Sequence, residues 1–345
     1  MSVNIYDVAR RAQVSSATVS RVLNGSPHVK EATKRRVMHA IDALDYTPNA
    51  LARKLSTGRT GNIGFLIPDM ENPFFSQLLR GVTHAADESG YNIFLYGTDD
   101  NVAKEHRFFD VVRTERLAGI LVIPVDAGNE KTCERLLALE AEHVPVVLID
   151  RDLKNGRFDG VFSEDFRGAM DAVDCLLHKG HRRIATIRGP ENSRPGSERW
   201  MGYLAALAKW NIPQDMRYVV QGDFHRERAY AAMHELMEQN DPPSAVFAAN
   251  NMTSLGCLRY FHERGLRLGE DISLIGFDEI EMLHYSGTAL SVVDRDICRM
   301  GQDAMHLLIR RIQDKAEHAG DARRRQEIFL PTNLILRGSE KWRGA

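Results

Sequence analysis

Apolar positions three or four residues apart predict three short helices within residues 5–44. Ser15 or Ser16 caps the second helix by accepting hydrogen bonds from its free amides. The Asn-Gly-Ser-Pro turn at residues 24–27 separates the second helix from the third, which begins near Lys30. Helices this short enclose only a small core, so we expect this unit to be marginally stable by itself.

The stretch that follows carries turn and linker signals. Residues 46–49, Tyr-Thr-Pro-Asn, end the third helix, residues 50–55 predict one short helical segment, and residues 56–61 have the composition of a linker. A helix of roughly ten residues is not stable in isolation. We therefore expect this segment to become ordered only against a partner.

Beyond residue 61 the pattern changes to short apolar runs that alternate with amphipathic helical stretches, such as residues 75–89 and 199–209. This alternation is typical of parallel sheets covered by helices on both faces, and the number of runs predicts two such sheets. The predicted fold class is therefore α/β, a two-lobed body with parallel sheets behind a small all-α headpiece. The predicted divisions are the headpiece at 1–47, a hinge helix and linker at 48–61, the two-lobed domain at 62–338 and a polar tail at 339–345.

Charge is distributed unevenly along the chain, whose 345 residues carry a formal net charge of −2. Residues 1–60 hold ten Lys and Arg against four acids, a charge of +6, which leaves −8 for the remainder. A basic amino-terminal region followed by an acidic remainder is expected of a protein that binds a polyanion through one end only. A chance fluctuation in a solvated surface is the alternative explanation.

Several functional classes are disfavoured by what the sequence lacks. It has no stretch of about 18 apolar residues that would span a membrane, and its first residues have no signal-peptide pattern. The four cysteines are far apart and form no Cys-x-x-Cys pair, so neither a zinc site nor a disulfide framework is predicted. No phosphate loop, Gly-x-Ser-x-Gly elbow or His-Glu-x-x-His motif indicates an enzyme. We expect a cytoplasmic protein without catalytic activity, cofactor or metal.

The most specific motif is VARRAQVSSATVSRVLN at residues 8–24. It resembles the helix-turn-helix headpiece of the LacI/GalR family of bacterial regulators. The resemblance continues through YTPNALARKLSTGRTGNIGFLIPD at residues 46–69, which is similar to the family's hinge and the entry to its sensor, and extends to about Arg337. A helix-turn-helix pattern alone is a moderate signal, but one followed by this hinge and sensor is specific. The resemblance implies a sequence-specific transcription regulator that is nucleoid-associated when bound to its operator.

The second helix is predicted to read DNA, because a recognition helix places its amino-terminal side chains on base edges in the major groove. Ser16 offers a hydroxyl, Ala17 a methyl that suits a thymine methyl, and Arg21 a guanidinium for guanine O6 and N7 or for a phosphate. Ser16 and Ala17 alternatively serve only as cap and spacer. Contacts to phosphates are expected from three more polar residues, Thr18, Ser20 and Asn24.

The hinge implies a second contact with DNA. Similar proteins insert a hinge leucine into the minor groove, where an apolar wedge unstacks a base step, and the matching residue is Leu55. Asn49, Ala50 and Arg53 would line the same groove, whereas packing within the helix is the alternative for Leu55. Such hinges fold only in pairs on DNA, which implies a homodimer and a near-palindromic operator.

The body resembles periplasmic sugar-binding proteins, and folds of this kind hold ligands beyond the carboxyl ends of their strands. Acids combined with Asn, Arg and aromatic rings suit polyhydroxy ligands, because charged acceptors take hydroxyl donors and planar rings exclude water. Eight residues match the family's ligand positions: Phe74, Phe75, Asp150, Arg199, Phe224, Asn250, Asp278 and Arg295.

These positions also have structural alternatives. Asp150 or Asp278 can cap the helix or loop that follows, Arg199 can pair with an acid inside the structure, and Phe224 can pack in the core. Of the two adjacent phenylalanines, one is expected to pack in the core.

Two residues depart from the family pattern. Asn251 replaces an aspartate, which keeps the capping capacity but removes a charge, and Phe166 replaces an asparagine, which would enlarge the apolar share of the pocket.

The resemblance implies a repressor of carbohydrate-metabolism genes that a small sugar-like effector releases from DNA. A neutral sugar is the first expectation, although Arg151 and Arg295 add positive charge that would suit an acidic sugar. The alternative is a corepressor-dependent regulator that senses a non-sugar metabolite such as a purine or nucleoside.

Overall fold

The computed structural model describes residues 4–23, 29–44, 46, 61–317 and 324–341. The chain divides into two units, residues 1–60 and 61–345. No helix within the described ranges is both long enough and apolar enough to cross a membrane.

The first unit has three helices among its described residues: α1 (Ile5–Ala12), α2 (Ser16–Leu23) and α3 (Glu31–Ala43). A capping box begins α1, since the Asn4 side chain accepts from the N–H of Asp7 and the Asp7 carboxylate accepts from the N–H of Asn4. At the start of α2 it is Ser15, rather than Ser16, whose hydroxyl accepts from the N–H of Thr18, at 3.2 Å. The core between the helices consists of Val8, Ala9, Ala12, Val19, Val22, Val37, Ala40, Ile41 and Tyr46.

The second unit begins with lobe 1, whose sheet is entirely parallel. Its strands are β1 (Asn62–Ile67), β2 (Asn92–Gly97), β3 (Gly119–Val122), β4 (Val146–Ile149), β5 (Asp159–Ser163) and β11 (Glu327–Leu330). They lie in the order β11-β5-β4-β3-β1-β2. The helices around this sheet are α4 (Pro73–Glu88), α5 (Val102–Thr114), α6 (Glu130–Ala141) and α12 (Ile297–Glu317).

Lobe 2 repeats this architecture with a second sheet. Its strands are β6 (Ile184–Arg188), β7 (Val219–Gln221), β8 (Ala245–Ala248), β9 (Ser273–Phe277), β10 (Ser291–Arg295) and β12 (Thr332–Ile335), in the order β12-β10-β9-β8-β6-β7. Its helices are α7 (Asp165–His178), α8 (Arg194–Lys209), α9 (Arg226–Met237), α10 (Asn251–Arg264) and the short α11 (Glu281–Ser286). The α/β, two-lobed fold class predicted from the sequence is confirmed.

The chain crosses between the lobes three times, from β5 into α7, from β10 into α12 and from β11 into β12. The last crossing explains why β12 pairs antiparallel with β10 although parallel sheets were predicted. After β11 the chain leaves lobe 1 at the carboxyl ends of its strands. It therefore enters the second sheet from that sheet's own carboxyl edge and must run against its neighbour.

Within the segment predicted as a polar tail, residues 339–345, the structure describes residues 339–341, and the first two belong to lobe 2 instead. Ser339 and Glu340 are buried in lobe 2. The Ser339 hydroxyl donates to the carbonyl of Leu274 at 2.6 Å and accepts from the N–H of Ser291 at 2.7 Å. Both residues belong to the lobe because they complete the hydrogen bonding around β9 and β10.

Candidate functional site

A cleft lies between the lobes, at the carboxyl ends of their strands. All eight residues that the sequence singled out for ligand contact line this cleft, and they come from both lobes. The cleft is also lined by residues not singled out as ligand contacts: Pro68, Asp69, Asn72, Asp100, Arg151, Asp223 and His225.

The guanidinium of Arg295 donates hydrogen bonds to two carboxylates and one hydroxyl. Its Nη1 donates to Oδ1 of Asp150 at 2.7 Å and to Oγ of Ser163 at 2.6 Å, and its Nε donates to Oδ1 of Asp278 at 2.7 Å. Burial by itself would lower the pKa of Arg295, but the carboxylates of Asp278, Asp150 and Asp165 raise it above its ordinary value. The guanidinium is therefore a permanent buried cation that holds the acids around it.

Arg199 is paired with an acid that the sequence reasoning missed. Its Nε and Nη2 donate to Oδ1 of Asp165 at 2.8 Å and 2.7 Å, and its Nη1 donates to the carbonyl of Ala249 at 2.6 Å. Burial would raise the pKa of Asp165, but Arg199 and Arg295 outweigh burial and hold it below its ordinary value. Arg199 thus pairs with an acid inside the structure, which was the alternative prediction, and it also lines the cleft.

The remaining arginine of the cleft is paired as well. Nη1 of Arg151 donates to Oδ1 of Asp100 at 3.1 Å. The cleft lining contains five aspartates against three arginines, and each arginine donates to a carboxylate. The expectation that Arg151 and Arg295 would suit an acidic sugar loses its basis, because carboxylates already neutralise both cations.

Phe74 and Phe75 meet edge to face, with ring centroids 5.0 Å apart and an interplanar angle of 82°. Both are buried, so the expected division between one core ring and one ligand ring is not observed. The guanidinium carbon of Arg295 lies 4.6 Å from the centroid of the Phe74 ring. The two rings therefore form an apolar floor beneath the charged network.

Phe224 is the more exposed aromatic ring of the cleft, since it is half-buried rather than buried. Its ring lies against Gly189, where an added Cβ would be 2.2 Å from two ring carbons. The absence of a side chain at Gly189 is what allows the Phe224 ring to occupy this position.

The cleft loops contain a group of non-glycine residues in the left-handed region of backbone space, which costs free energy that the surrounding structure must offset. Strain of this kind tends to concentrate at binding sites. The residues are Asp100 (φ 50°), Asp150 (60°), Asp223 (51°), Phe224 (65°) and Asp278 (68°).

Two adjacent asparagines place α10 against the cleft. The Asn250 side chain caps α10 by accepting from the N–H of Thr253 at 2.8 Å. Asn251 donates its Nδ2 to Oδ1 of Asn72 at 2.8 Å, which joins lobe 2 to lobe 1. An aspartate at position 251 could not donate this bond, so the departure from the family pattern has a structural use here.

Phe166 does not behave as its sequence position suggested. Its side chain is 41% exposed and is not part of the cleft lining. It lies on the first turn of α7, next to Asp165, whose side chain points inward instead. The expected enlargement of the apolar share of the pocket is wrong.

In the first unit, Ala17 and Arg21 lie exposed one turn apart on α2, on the side opposite the buried Val19 and Val22. The flanking residues Ser16, Thr18 and Ser20 are half-buried. The other residues predicted to contact DNA lie outside the described residues: Asn24, Asn49, Ala50, Arg53 and Leu55.

Two family descriptions match the chain. Residues 4–49 match the family described as bacterial regulatory proteins, lacI family, and residues 173–340 match the periplasmic binding protein-like domain. The HTH-type transcriptional repressor PurR of Photorhabdus laumondii is 35% identical over 338 residues, which cover 97% of this chain and 96% of the relative. The protein of the same name from Pectobacterium carotovorum is 34% identical over 318 residues, 91% of this chain and 92% of the relative.

Solved structures of regulators share the architecture. The transcriptional regulator CelR in complex with cellobiose is 28% identical, with a TM-score of 0.72 over 98% of this chain and 99% of that one. The Lac repressor dimer bound to operator and the anti-inducer ONPF is 25% identical, with a TM-score of 0.83 over 99% and 100%. A LacI family transcriptional regulator from Enterococcus faecium with bound ribose is 28% identical, with a TM-score of 0.70 over 81% and 98%.

Proposed function

Because the chain belongs to the LacI family of bacterial regulatory proteins and is a DNA-binding transcriptional repressor, we propose that a small molecule bound in the interlobe cleft controls its affinity for operator DNA. The observation that carries the proposal is the composition of the cleft wall, in which residues of both lobes surround one cavity. A ligand that contacts both lobes stabilises one relative position of the lobes over others, and that differential affinity is the basis of allosteric control.

In this proposal α2 is the recognition helix. Ala17 and Arg21 carry the base contacts, because they form its exposed face and leave the apolar residues to the core. Ser16, Thr18 and Ser20 flank that face and contact phosphates or base edges.

The protein acts as a homodimer on a near-palindromic operator. The likeness to the Lac repressor dimer bound to operator supports this assembly. Leu55 is the minor-groove wedge of each hinge, and Asn24, Asn49, Ala50 and Arg53 provide the remaining DNA contacts.

The effector is a small neutral molecule rich in hydroxyl donors, with a sugar or sugar derivative as the leading class. Each cleft arginine already donates to a carboxylate, so an anionic ligand would meet five aspartates without an unpaired cation among these arginines. Carboxylate oxygens accept hydroxyl donors, and the half-buried Phe224 ring offers a flat apolar surface. Relatives in complex with cellobiose and with ribose agree with this class.

A purine or nucleoside corepressor is the second candidate. The curated relatives at 34–35% identity are named PurR, which denotes a purine repressor. The ring of Phe224 can stack on a planar base as well as on a sugar. The two candidates also differ in sign, because a sugar inducer would weaken operator binding whereas a corepressor would strengthen it.

A thermal-shift screen with cellobiose, ribose, hypoxanthine, guanine and guanosine separates the candidates. A ligand at 100 times its dissociation constant adds about 2.7 kcal/mol to the free energy of unfolding. A shift with either sugar supports the sugar class, a shift with a base or nucleoside supports the second candidate, and operator binding measured with the active compound gives the sign. A compound that binds without altering operator affinity would contradict control through the cleft.

A further inference from the structure

Several polar contacts described for the second unit join lobe 1 to lobe 2. Those between side chains include Asp150–Arg295 at 2.7 Å, Ser163–Arg295 at 2.6 Å, Asn72–Asn251 at 2.8 Å and Asp152–Arg194 at 3.0 Å. In addition, the N–H of Ala127 donates to the carbonyl of Asn192 at 2.9 Å.

The Asp150–Arg295 pair differs from the Asp152–Arg194 pair in its surroundings. The side chains of Asp150 and Arg295 are 8% and 2% exposed, whereas those of Asp152 and Arg194 are 25% and 19% exposed. Attraction between opposite charges is much stronger where solvent is excluded, and a buried charge that loses its partner is destabilised strongly. The first pair should therefore contribute more to holding the lobes together.

The position of Arg295 couples this pair to the connections between the lobes. Arg295 is the last residue of β10, immediately before the chain crosses into α12. Its Nη1 also donates to Ser163, the last residue of β5, where the chain crosses into α7. One guanidinium, at the end of the crossing strand β10, thus contacts both Asp150 and the end of a second crossing strand, β5.

The same guanidinium occupies acceptors that an effector would use. Oδ1 of Asp150 and both carboxylate oxygens of Asp278 accept from Arg295, at 2.7, 2.7 and 3.4 Å. A hydroxyl-rich molecule that binds these two aspartates has to share or displace those bonds.

We infer that Arg295 is a tethered latch: through Asp150 it stabilises the joined arrangement of the lobes, and it competes with the effector for the carboxylates of Asp150 and Asp278. This inference rests on the proposed function only in its second half, since the latch acts whether or not a ligand of the cleft is known. An effector that binds both aspartates then changes the lobe arrangement by replacing an existing cross-lobe bond. The equilibrium between joined and separated arrangements of the lobes is then set by the Asp150–Arg295 ion pair as well as by the ligand.

The chain contains its own reporter of lobe separation. The N–H of Ala127 in lobe 1 donates to the carbonyl of Asn192 in lobe 2, so this amide exchanges with solvent when the lobes separate. The N–H of Thr98 donates to the carbonyl of Ile67 within lobe 1 and serves as the reference. Faster exchange at Ala127 without a change at Thr98 reports separation rather than unfolding of the lobe.

The test is hydrogen–deuterium exchange of the full chain, without operator or effector, for Arg295→Gln and Asp150→Asn. Each variant should accelerate exchange at Ala127 by at least about tenfold while leaving Thr98 unchanged, because local opening becomes more populated. The double variant should be no faster than Arg295→Gln alone, since that change already removes the Arg295–Asp150 bond that Asp150→Asn breaks. Arg337→Gln, which removes the Arg337–Glu279 pair within lobe 2, is the matched control and should leave Ala127 unchanged.

Equal exchange at Ala127 in the wild type and both single variants would overturn the latch, as would additive effects in the double variant. If Arg295→Gln unfolds lobe 2, Asp150→Asn decides alone, because it leaves the Arg295–Asp278 pair in place. Arg295→Ala with added ethylguanidinium gives a second measurement. Slowing of Ala127 exchange by the free cation supports the latch, and no response to ethylguanidinium contradicts it. Failure of the effector screen would leave all of these results standing, so the two proposals fail separately.

Discussion

Arg199 donates two hydrogen bonds to a single oxygen of Asp165, and both side chains are buried within lobe 2. The pair connects α8 to the first residue of α7, the helix that follows the first crossing between the lobes. Arg199 therefore has two roles, since it supports the wall of the cleft and lines it.

Replacing Arg199 with Ala should lower the free energy of unfolding by about 3 kcal/mol, because the buried Asp165 would lose the closer of its two cations and keep only Arg295, 3.8 Å away. It should also abolish the effector response and leave specific operator binding intact where the fold persists. Urea unfolding measures the first effect and operator binding with the active ligand the second. Arg217→Ala is the control, since its pair with Asp215 is exposed and should matter little. A normal effector response in Arg199→Ala would remove this residue from the site.

The stability of lobe 2 should depend on pH through His181. Burial lowers the pKa of this residue to about 4, from an ordinary value of 6.5. The unfolded chain therefore binds the proton more readily between pH 6.5 and pH 4. The stabilisation is complete above pH 6.5 and is lost as the pH falls towards 4, with a size on the order of 3 kcal/mol.

Urea unfolding between pH 7 and pH 4 checks this dependence. His181→Asn should flatten the dependence of the unfolding free energy on pH in that window. His178→Asn is a suitable control because His178 is largely exposed. An unchanged slope in His181→Asn would assign the pH dependence to other groups.

Gly189→Ala should weaken effector binding without disturbing the headpiece. The new methyl would lie 2.2 Å from the ring of Phe224, so the ring has to move out of its present position in the cleft. We expect a loss of roughly tenfold or more in ligand affinity, which corresponds to about 1.4 kcal/mol. Calorimetry with the active compound measures it, and operator affinity without ligand should be unchanged. Gly128→Ala is the matched control, because an added Cβ there meets only a side-chain oxygen of Asp126 at 3.5 Å.

The role of Arg21 can be read from the pattern of lost affinity. If Arg21 binds a guanine, Arg21→Ala costs about 1–3 kcal/mol on the preferred operator and relaxes selectivity at one base pair. If it binds a phosphate, the loss of affinity is uniform across operator sequences. The slope of log affinity against log salt concentration then becomes less steep by about one. We expect the first result, because Arg21 shares the exposed face of α2 with Ala17. Competition binding with base-substituted operators at several salt concentrations distinguishes the two.

The sequence predicted the interior of the fold better than its edges. The strands β1, β3, β4, β8 and β9 are nearly continuous apolar runs because helices cover both faces of each sheet, and such runs are visible without a structure. The strands β7, β11 and β12 lie at sheet edges, are only partly buried and contain at most three consecutive apolar residues, which is too short a run to mark a strand.

Prediction of the candidate site from the sequence was also incomplete, since its residues were predicted but the partners they bind were not. Its eight residues were found because a family resemblance gave their positions, and all eight line the cleft. Their partners were not predictable, since Asp165 lies 34 residues from Arg199 and Asp150 lies 145 residues from Arg295. No local pattern connects residues so far apart, and the crossings that bring them together depend on the assembled sheets.

Control of DNA binding by the cleft is tested most directly by the affinity of the full chain for its operator at fixed salt, measured by fluorescence anisotropy with and without the compound that the thermal-shift screen identifies. Saturating compound should change the operator dissociation constant by roughly 5- to 150-fold, the usual range of allosteric coupling. Arg199→Ala should lose that change. An operator affinity that stays the same at saturating ligand would contradict the claim that the interlobe cleft controls DNA binding.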